Sequence, residues 1–514
     1  MSSIPKATKS NIEQLKAGVE WDILTRTFQE TLLLAVKLGI KYVWIDSLCI
    51  IQDDDQDWKE QAAKMADTYE NAELVISATN ASDGSMGLFQ ERKPAQILAS
   101  DNTPSSWTVR EPGSTIQVIP LHGPECKDKD CPIYISRDTA RHAQWDSMDG
   151  IATGSSQFNP LLGRGWAFQE RLLATRIVHF ADHELIWECK ETQRCECMHL
   201  DRTDGRPILE RSAENIKHRF SEAISRPPVS GNSPPPIDLF DLWASVVEKY
   251  TERMLTYEKD RLPALEGAIR KLQEKNLGTC VGGLFLSDLP RCLLWQVAQP
   301  GTRHPVYRAP TWSWASVMPA PNSSPRVEYL WHHRSEGLGT YEYMPEQTFI
   351  EELDGIVHAT TLDTEEPQYG LHFRAPMILA TLHINVAASP YHDFSRGSGF
   401  VTHGDVPQNH RYTVTFNGQT VTFMHDVAIH GKPNSPVPAS PVSLVAVARR
   451  TNQAKPDQAL VLRRLESTED YAAIGMRPQK FTDPMYSRIG IITSLEGDTK
   501  GWFDDAEQKQ LVLF

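Results

Sequence analysis

The sequence has no long charge-free apolar run, few cysteines and no excess of basic residues. Its most apolar region, residues 31–51, carries Lys37, Lys41 and Asp46, whereas a membrane-spanning helix needs about 20 nearly continuous apolar residues. The first 20 residues contain no apolar stretch with a cleavage site, so we expect no secretory signal. Eight cysteines among 514 residues favour reduced thiols over a disulfide framework. These absences predict a cytoplasmic protein that does not enter a membrane.

Charge and motif content exclude several further classes. Lys and Arg together number 52 and Asp and Glu together number 66, which gives a net charge of −14. Because nucleic-acid binding depends on basic side chains that neutralise phosphate, we expect no nucleic-acid partner. The chain contains no phosphate-binding P-loop, no Gly-x-Ser-x-Gly nucleophile elbow and no His-Glu-x-x-His zinc motif. Its length, at roughly 100–200 residues per domain, predicts two to four globular domains.

The first 80 residues alternate between helical and strand patterns. Thr27 to Glu30 has the spacing of a capping box, and the apolar residues that follow recur on one helical face. The nearly continuous apolar run over residues 41–51 predicts a strand buried on both faces of a parallel sheet, with Cys49 as an inert core thiol. A second helix is predicted from Asp57, and a strand over residues 73–79 follows it. The apolar residues of this helix, Trp58, Ala62, Met65 and Tyr69, have the spacing of a single face. This order is typical of a βαβ unit with parallel strands.

Changes in composition divide the rest of the chain into segments. Residues 91–157 have weak periodicity and are interpreted as an insertion. A short helix around residues 167–174 and strands at 177–180 and 185–189 are predicted after it. The predicted domains are residues 11–200 with that insertion, a Pro/Ser-rich linker over 201–238, a helical continuation over 239–316 and a mostly β domain over 317–514.

Two local patterns stand out in the C-terminal half. Asn417-Gly418 lies between runs in which threonine alternates with valine or phenylalanine, which predicts a β-hairpin with these two residues at its tip. Trp312 and Trp314 alternate as in a strand, and we expect them to pack the join between domains. The hairpin pattern favours a mostly β C-terminal domain.

Three segments, in this order, resemble the heterokaryon-incompatibility (HET) domain of fungal proteins. They are Lys41-Tyr42-Val43-Trp44-Ile45-Asp46 within residues 38–53, Arg164-Gly165-Trp166-Ala167-Phe168-Gln169-Glu170 within residues 164–176, and Trp187-Glu188-Cys189. Downstream segments such as Thr311-Trp312-Ser313-Trp314 extend the resemblance to about residue 316. Members of the family usually open with a strand that reads Leu-Ser-Tyr-x-Trp-Gly, whereas this chain begins Met1-Ser2-Ser3-Ile4. The resemblance therefore implies a sheet whose first strand is missing.

The HET domain is in turn similar to the Toll/interleukin-1-receptor (TIR) domain. This second resemblance implies an α/β fold with a flavodoxin/TIR-like parallel sheet flanked by helices, followed here by a helical segment and a mostly β C-terminal domain. Some TIR domains cleave NAD with a glutamate four residues after a tryptophan, and Trp166 and Glu170 have that spacing. The resemblance implies NAD as a substrate, and no resident cofactor is expected.

Glu170 is the candidate catalytic residue. Because residues four apart share a helix face, the Trp166 indole would shield the carboxyl and raise its pKa, which suits acid–base chemistry. In NAD cleavage the carboxylate would hold a ribose hydroxyl and stabilise positive charge on the sugar. The alternative is a structural glutamate paired with Arg164, Arg171 or Arg176.

Asp46, Arg164 and Trp166 are the candidate substrate-binding residues. Asp46 is predicted at the carboxyl end of a parallel strand, where α/β sheets bind ligands, and would meet a ribose hydroxyl. Its alternative role is to cap the backbone near Ser47. Arg164 precedes a helix and would clamp a phosphate, the alternative being an ion pair with Glu170.

A cluster of cysteines with one histidine is the only group that suggests a metal. It comprises Cys126, Cys131, Cys189, Cys195, Cys197 and His199. Thiolates and imidazole are zinc ligands, but no second pair has the standard spacing. Free thiols are therefore favoured, and we expect no metal.

The resemblance implies a role in heterokaryon incompatibility, which is non-self recognition during hyphal fusion that ends in programmed cell death. Two mechanisms compete. In the first, the domain is an enzyme that cleaves NAD. In the second, it is a non-catalytic signalling module that acts through a protein partner or as a homo-oligomer. A third interpretation is an accessory protein of another fungal pathway.

Overall fold

A computed structural model of this chain describes residues 4–90, 116–120, 132–136, 159–181, 184–196, 215–227, 237–297, 301–304, 306–318, 326–329, 345–348, 350–359, 368–384, 412–422, 424–426, 440–450, 458–474, 476, 483–492 and 502–514. The chain divides into two compact units, Met1–Ser221 and Glu222–Phe514, which are described separately. This division falls inside the predicted linker at 201–238, and the other predicted domain boundaries stay predictions. In the part of the chain described, no helix is both long and apolar enough to cross a membrane.

Polar side chains cap the two main helices near the N-terminus. The helices up to the division are α1 (Ile12–Ala17), α2 (Arg26–Lys37), α3 (Asp46–Cys49), α4 (Asp55–Asn71), α5 (Gly165–Leu173) and α6 (Ile216–Ser225), with 3₁₀ helices at Trp21–Ile23 and Pro160–Gly163. The hydroxyl of Thr25 accepts the backbone N–H of Phe28 and starts α2, so the predicted cap at Thr27 is wrong by two residues. Thr27 instead donates its hydroxyl to the Gly84 carbonyl at 3.0 Å. Asp54 caps α4.

A four-stranded mixed sheet lies in the first unit. Its strands, in spatial order, are β1 (Val75–Ser77), β4 (Arg176–Phe180), β5 (Leu185–Cys189) and β6 (Gln193–Cys195), while β2 (Ile116–Pro120) and β3 (Pro132–Ser136) pair separately. β1 runs parallel to β4, and β4, β5 and β6 are antiparallel neighbours. The α/β class is therefore confirmed, but the sheet is mixed rather than parallel, because the short turns after β4 and β5 can join only antiparallel strands.

The strand predicted over residues 41–51 is wrong. Residues 41–45 belong to no helix or strand, and the next four residues form α3. The Asp46 carboxylate accepts the backbone N–H of Ser47 at 2.7 Å in the first turn of α3. Cys49 consequently lies exposed on α3 rather than in the core.

The second unit is a helical segment followed by a mostly β region, as predicted. Its helices are α7 (Ile237–Thr251), α8 (Glu266–Gln273) and α9 (Thr468–Ala472), with 3₁₀ helices at Glu258–Asp260, Pro263–Leu265, Leu286–Asp288, Arg291–Leu293 and Trp314–Ser316. Short strands precede the main sheet: β7 (Cys280–Val281), β8 (Leu284–Phe285), β9 (Trp295–Val297), β10 (Thr302–Arg303), β11 (Val317–Met318) and β12 (Val327–Tyr329). The main sheet holds β13 (Pro345–Thr348), β14 (Glu351–Ala359), β15 (Gln368–Ile384), β16 (Tyr412–Phe416), β17 (Gln419–Thr422), β18 (Met424–His425), β19 (Ser440–Arg450), β20 (Gln458–Arg464), β21 (Met485–Ile492) and β22 (Gln508–Leu513).

The hairpin predicted at Asn417-Gly418 is confirmed. β16 and β17 pair with Phe416 opposite Gln419, and the two turn residues have φ angles of 48° and 81°. A two-residue turn with positive φ at both positions matches the twist of the flanking strands, and asparagine and glycine adopt these angles most readily.

Three tryptophans and one arginine are buried together in the second unit. Trp295, Trp312 and Trp314 are fully buried, and the last two lie in a turn and a 3₁₀ helix rather than in a strand. The Arg488 guanidinium lies 3.6 Å from the centre of the Trp295 ring and pairs with Asp426 at 2.7 Å. This buried pair joins parts of the chain that are far apart in sequence.

Candidate functional site

Three helices and the residue before α5 bring the candidate residues together. α3 supplies Asp46, α4 supplies Tyr69 and α5 supplies Glu170, and α4 packs against α5. The Tyr69 hydroxyl donates a hydrogen bond to the Glu170 carboxylate, and the charges of Asp46 and Arg164 act on the same carboxylate. The structure therefore collects three residues that the sequence singled out, together with Tyr69, which it did not.

The Glu170 carboxyl has a pKa near neutrality. Burial, and after it the negative charge of Asp46, raise this pKa from 4.5 to about 7, because both disfavour the ionised form. The Arg164 guanidinium and the Tyr69 hydrogen bond act in the opposite direction and do not outweigh burial. Glu170 is therefore present in both protonation states at neutral pH, as a group that transfers protons should be.

Tyr69 is a permanent hydrogen-bond donor in this site. Burial, followed by the negative charges of Glu170 and Asp46, raises the pKa of the Tyr69 phenol well above 10, so the hydroxyl stays protonated at any physiological pH. The sequence predicted Tyr69 only as one apolar position on the face of α4. Its hydroxyl was the available signal, since the other residues on that face, Trp58, Ala62 and Met65, have no comparable acid–base group.

Four aromatic rings from α4, α5 and the segment before α3 form two edge-to-face pairs. Trp166 precedes Glu170 by one helical turn and meets Trp58 edge to face, with ring centres 6.4 Å apart. Trp44 meets Tyr69 in the same way at 5.7 Å. Such rings lower the local dielectric and offer flat apolar surfaces to a planar ligand. Trp166 and Trp44 are only partly buried, so these surfaces are not sealed in the core.

Asp46 and Arg164 are the solvent-exposed members of the site. The prediction that Asp46 ends a parallel strand is wrong, since it begins α3. Its carboxylate accepts the Ser47 backbone N–H at 2.7 Å. Arg164 directly precedes α5 and makes no side-chain cap there. Both charged groups are thus accessible to a solute that reaches Glu170.

The other two arginines considered as partners of Glu170 pair elsewhere. Arg171 binds Glu188 at 2.7 Å, and Arg176 lies 3.5 Å from Glu73 at the surface. The structure therefore does not show Glu170 as a structural carboxylate held by Arg171 or Arg176. Arg164 is the arginine whose charge acts on Glu170.

A buried ion pair holds α5 against the sheet. Arg171 donates from Nε and Nη2 to the two carboxylate oxygens of Glu188 at 2.7 and 2.8 Å. Glu188 also accepts from Gln193 at 2.6 Å and lies 3.3 Å from Nε2 of His179. Burial opposes the charge of Glu188, but the Arg171 guanidinium and these hydrogen bonds hold its pKa well below 4.5.

Lys217 also binds α5, through a backbone carbonyl of the helix. Its ammonium, fully buried, donates to the Arg171 carbonyl at 2.6 Å. Burial lowers the pKa of Lys217 to about 8, against the attraction of Glu188. Because Arg171 follows Glu170 directly, the two interactions orient the segment that carries the candidate catalytic carboxyl. The sequence motif Trp187-Glu188-Cys189 drew attention to Glu188 without revealing this positioning role.

Only two members of the cysteine cluster lie among the described residues. Cys195 is buried and Cys189 is half-buried, whereas Cys126, Cys131, Cys197 and His199 lie outside the described residues. Within the described ranges no three histidine, cysteine, aspartate or glutamate side chains are grouped as metal ligands would be.

The part of the chain that carries these residues matches a known family. Residues 2–170 match the family described as "Heterokaryon incompatibility protein (HET)", a stretch of about a third of the chain that includes Asp46, Tyr69, Arg164 and Glu170. No curated protein and no solved structure matches the chain. The N-terminal part of this chain, residues 2–170, is therefore similar to the HET family, and this similarity includes the candidate site.

Proposed function

We propose that this protein acts in fungal heterokaryon incompatibility and that its HET domain cleaves NAD at Glu170. The family match supports the cellular role, in which non-self recognition through a protein partner leads to cell death. One observation supports the chemistry: Glu170 has a pKa of about 7, accepts a hydrogen bond from Tyr69 and interacts electrostatically with Asp46 and Arg164. Buried acids tuned to neutral pH are typical of catalytic sites.

The proposed reaction breaks the bond between C1′ of the nicotinamide ribose and the ring nitrogen. The bonding electrons move to the positively charged ring, so nicotinamide leaves as a neutral molecule and needs no acid. Ionised Glu170 stabilises the positive charge that develops on the ribose. Water then adds to C1′ and gives its proton to the Glu170 carboxylate. The products are nicotinamide, ADP-ribose and one proton.

The neighbouring residues would bind and orient the substrate. Arg164 is exposed and would pair with the pyrophosphate, since a guanidinium binds two phosphate oxygens at once. Asp46 would accept a hydrogen bond from a ribose hydroxyl. Trp166 would pack against the nicotinamide ring, because offset aromatic stacking favours flat ligands. Tyr69 would hold the Glu170 carboxylate in one orientation.

The first prediction is that Glu170→Gln abolishes NAD cleavage. Glutamine keeps the size and most of the hydrogen bonding of glutamate but can neither accept the proton nor stabilise positive charge. We expect nicotinamide release by the purified full chain to fall by about 10²–10⁴-fold. Chromatography of the products measures this directly.

Glu73→Gln is the matched control. It removes one carboxylate from the same unit, but the Glu73 side chain is 78% exposed and pairs with Arg176, so release should not change. If Glu170→Gln releases nicotinamide as fast as the unaltered chain, Glu170 is not the catalytic residue and the proposed chemistry is wrong.

A non-catalytic signalling module is the second candidate function. It is favoured by the large apolar side chains that residues 19–42 expose, among them Trp21, Val36 and Tyr42, since such surfaces bind proteins. The two candidates differ in one experiment in fungal cells. If the unaltered chain and Glu170→Gln arrest growth equally and neither consumes NAD, the signalling function is correct.

A further inference from the structure

Residues 41–45 have the side chains of a strand but no strand partner. Tyr, Val, Trp and Ile are the residue types most favoured in β-sheets, and Ile45 has extended backbone angles (φ −131°, ψ 118°). Within the described residues, the backbone N–H groups of 41–45 donate to no acceptor and the carbonyls of 41–44 accept from no donor. A row of unpaired backbone groups of this kind is a template for pairing with another chain.

The surface next to this segment in sequence is unusually apolar. Tyr42 is 89% exposed, and Val36 and Leu38 are 74% and 52% exposed. α2, which leads into the segment, buries only Ala35 among its twelve residues. A helix in a globular protein normally covers an apolar stripe about 100° wide, so much of this apolar surface is still open to water.

We propose that residues 41–45 pair antiparallel with the same residues of a second copy of this chain. Centring the pair on Val43 sets Tyr42 opposite the partner's Trp44, and the reverse, so two aromatic cross-strand pairs form. Lys41 then faces the partner's Ile45, so the two lysines lie at opposite ends of the pair. The segment is therefore complementary to itself, as a two-fold interface requires.

The pairing would be reversible rather than permanent. A single pair of strands is only marginally stable in water, and apolar contacts from Val36 and Leu38 would add to it. Interfaces below the standard size give weak, transient complexes. We therefore expect a dimer with a dissociation constant on the order of micromolar.

The dimer would also bear on the candidate site, although it does not depend on NAD cleavage. Trp44 contacts Tyr69, and Ile45 directly precedes Asp46. Pairing would therefore hold the backbone of Trp44, and the backbone directly before Asp46, in one position.

Sedimentation velocity of the full chain, over roughly 1–100 µM, tests the proposal. The unaltered protein should shift from monomer to dimer across this range. Tyr42→Lys should weaken the dimer at least about tenfold, because it removes both aromatic pairs. Val43→Pro should abolish it, because proline cannot donate a backbone hydrogen bond. A peptide with the sequence of residues 40–46 should dissociate the dimer.

Leu379→Lys is the control for removal of an exposed apolar side chain. Leu379 is 67% exposed on β15, outside the segment, and its substitution should leave the dimer intact. Tyr42 is so exposed that Tyr42→Lys should keep the circular dichroism spectrum of the unaltered chain. A protein that stays monomeric throughout, or a dimer that neither segment variant weakens, overturns the proposal. Binding of a different protein by the monomer would do the same.

Discussion

At the scale of single residues, the protonation of Glu170 depends on groups from separate helices. Its folded-state pKa, about 7, lies above the ordinary value of 4.5. The folded protein therefore binds this proton more tightly than the unfolded chain does. Stability from this group is fully present below about pH 4.5 and is lost as the pH rises through about 7. Ionisation of Glu170 therefore lowers the free energy of unfolding of the protein.

Glu170→Gln should consequently stabilise the protein at high pH only. Near pH 4.5 glutamate is still protonated in the folded state and resembles glutamine, so the two proteins should unfold alike. At pH 8 the variant should have a free energy of unfolding higher by up to about 3 kcal/mol, since one pKa unit corresponds to about 1.4 kcal/mol. Urea unfolding at the two pH values measures the difference.

The exposed Glu73→Gln variant serves as the reference for this comparison, because it should shift stability little at either pH. A Glu170→Gln variant that is equally stable to the unaltered chain at pH 8 would show that burial does not raise the pKa of this carboxyl.

The sequence could reveal part of this site and not the rest. The spacing of Trp166 and Glu170 is local, so helix geometry alone put them on one face. Tyr69 and Trp58 belong to α4, which precedes the long segment 91–157, and no sequence spacing encodes the contact of Tyr69 with Glu170 or of Trp58 with Trp166. The spacing of residues along the sequence cannot predict which residues reach a site only through tertiary packing.

At the scale of elements, local turn chemistry proved more predictive than apolarity. Asn417-Gly418 specifies its own backbone angles, so the hairpin at this position followed from two residues. The run over 41–51 is just as rich in β-favouring residues, but a strand exists only where a neighbour takes its hydrogen bonds. In the described residues no neighbour pairs with 41–45, and the chain enters α3 at Asp46.

The position of α5 should depend on the Arg171–Glu188 pair. Glu188→Ala leaves the Arg171 guanidinium buried without its carboxylate, and such a loss costs about 3–5 kcal/mol. We expect the free energy of unfolding to fall by this amount and hydrogen exchange in α5 to accelerate. Denaturant unfolding and exchange measured by mass spectrometry check the two effects.

Arg176→Ala is the matched variant for an exposed pair. Its partner Glu73 lies 3.5 Å away, and the two side chains are 45% and 78% exposed, so the change should stay within about 1 kcal/mol. If Glu188→Ala costs no more than Arg176→Ala, the buried pair does not hold α5.

At the scale of the whole chain, the HET match ends at residue 170 and does not include the second unit. That unit has its own buried ionic centre, which the sequence did not predict because its members are distant along the chain. Arg488 donates to the Leu293 carbonyl at 2.6 Å as well as to Asp426, and its backbone carbonyl accepts from Arg303 at 2.6 Å. Only folding brings these segments together.

Removing Asp426 should therefore destabilise the second unit more than removing both charges. Asp426→Ala leaves Arg488, which is fully buried, without a counter-charge, and we expect a loss of about 3–5 kcal/mol. The double variant Asp426→Ala/Arg488→Met should recover most of that loss, because methionine can pack on Trp295 without a charge. Urea unfolding followed by tryptophan fluorescence compares the three proteins, with Trp295 beneath Arg488 as a nearby reporter. A double variant as unstable as the single one would mean that Arg488 stabilises the unit chiefly through its carbonyl contacts and its stacking on Trp295, and not through its pairing with Asp426.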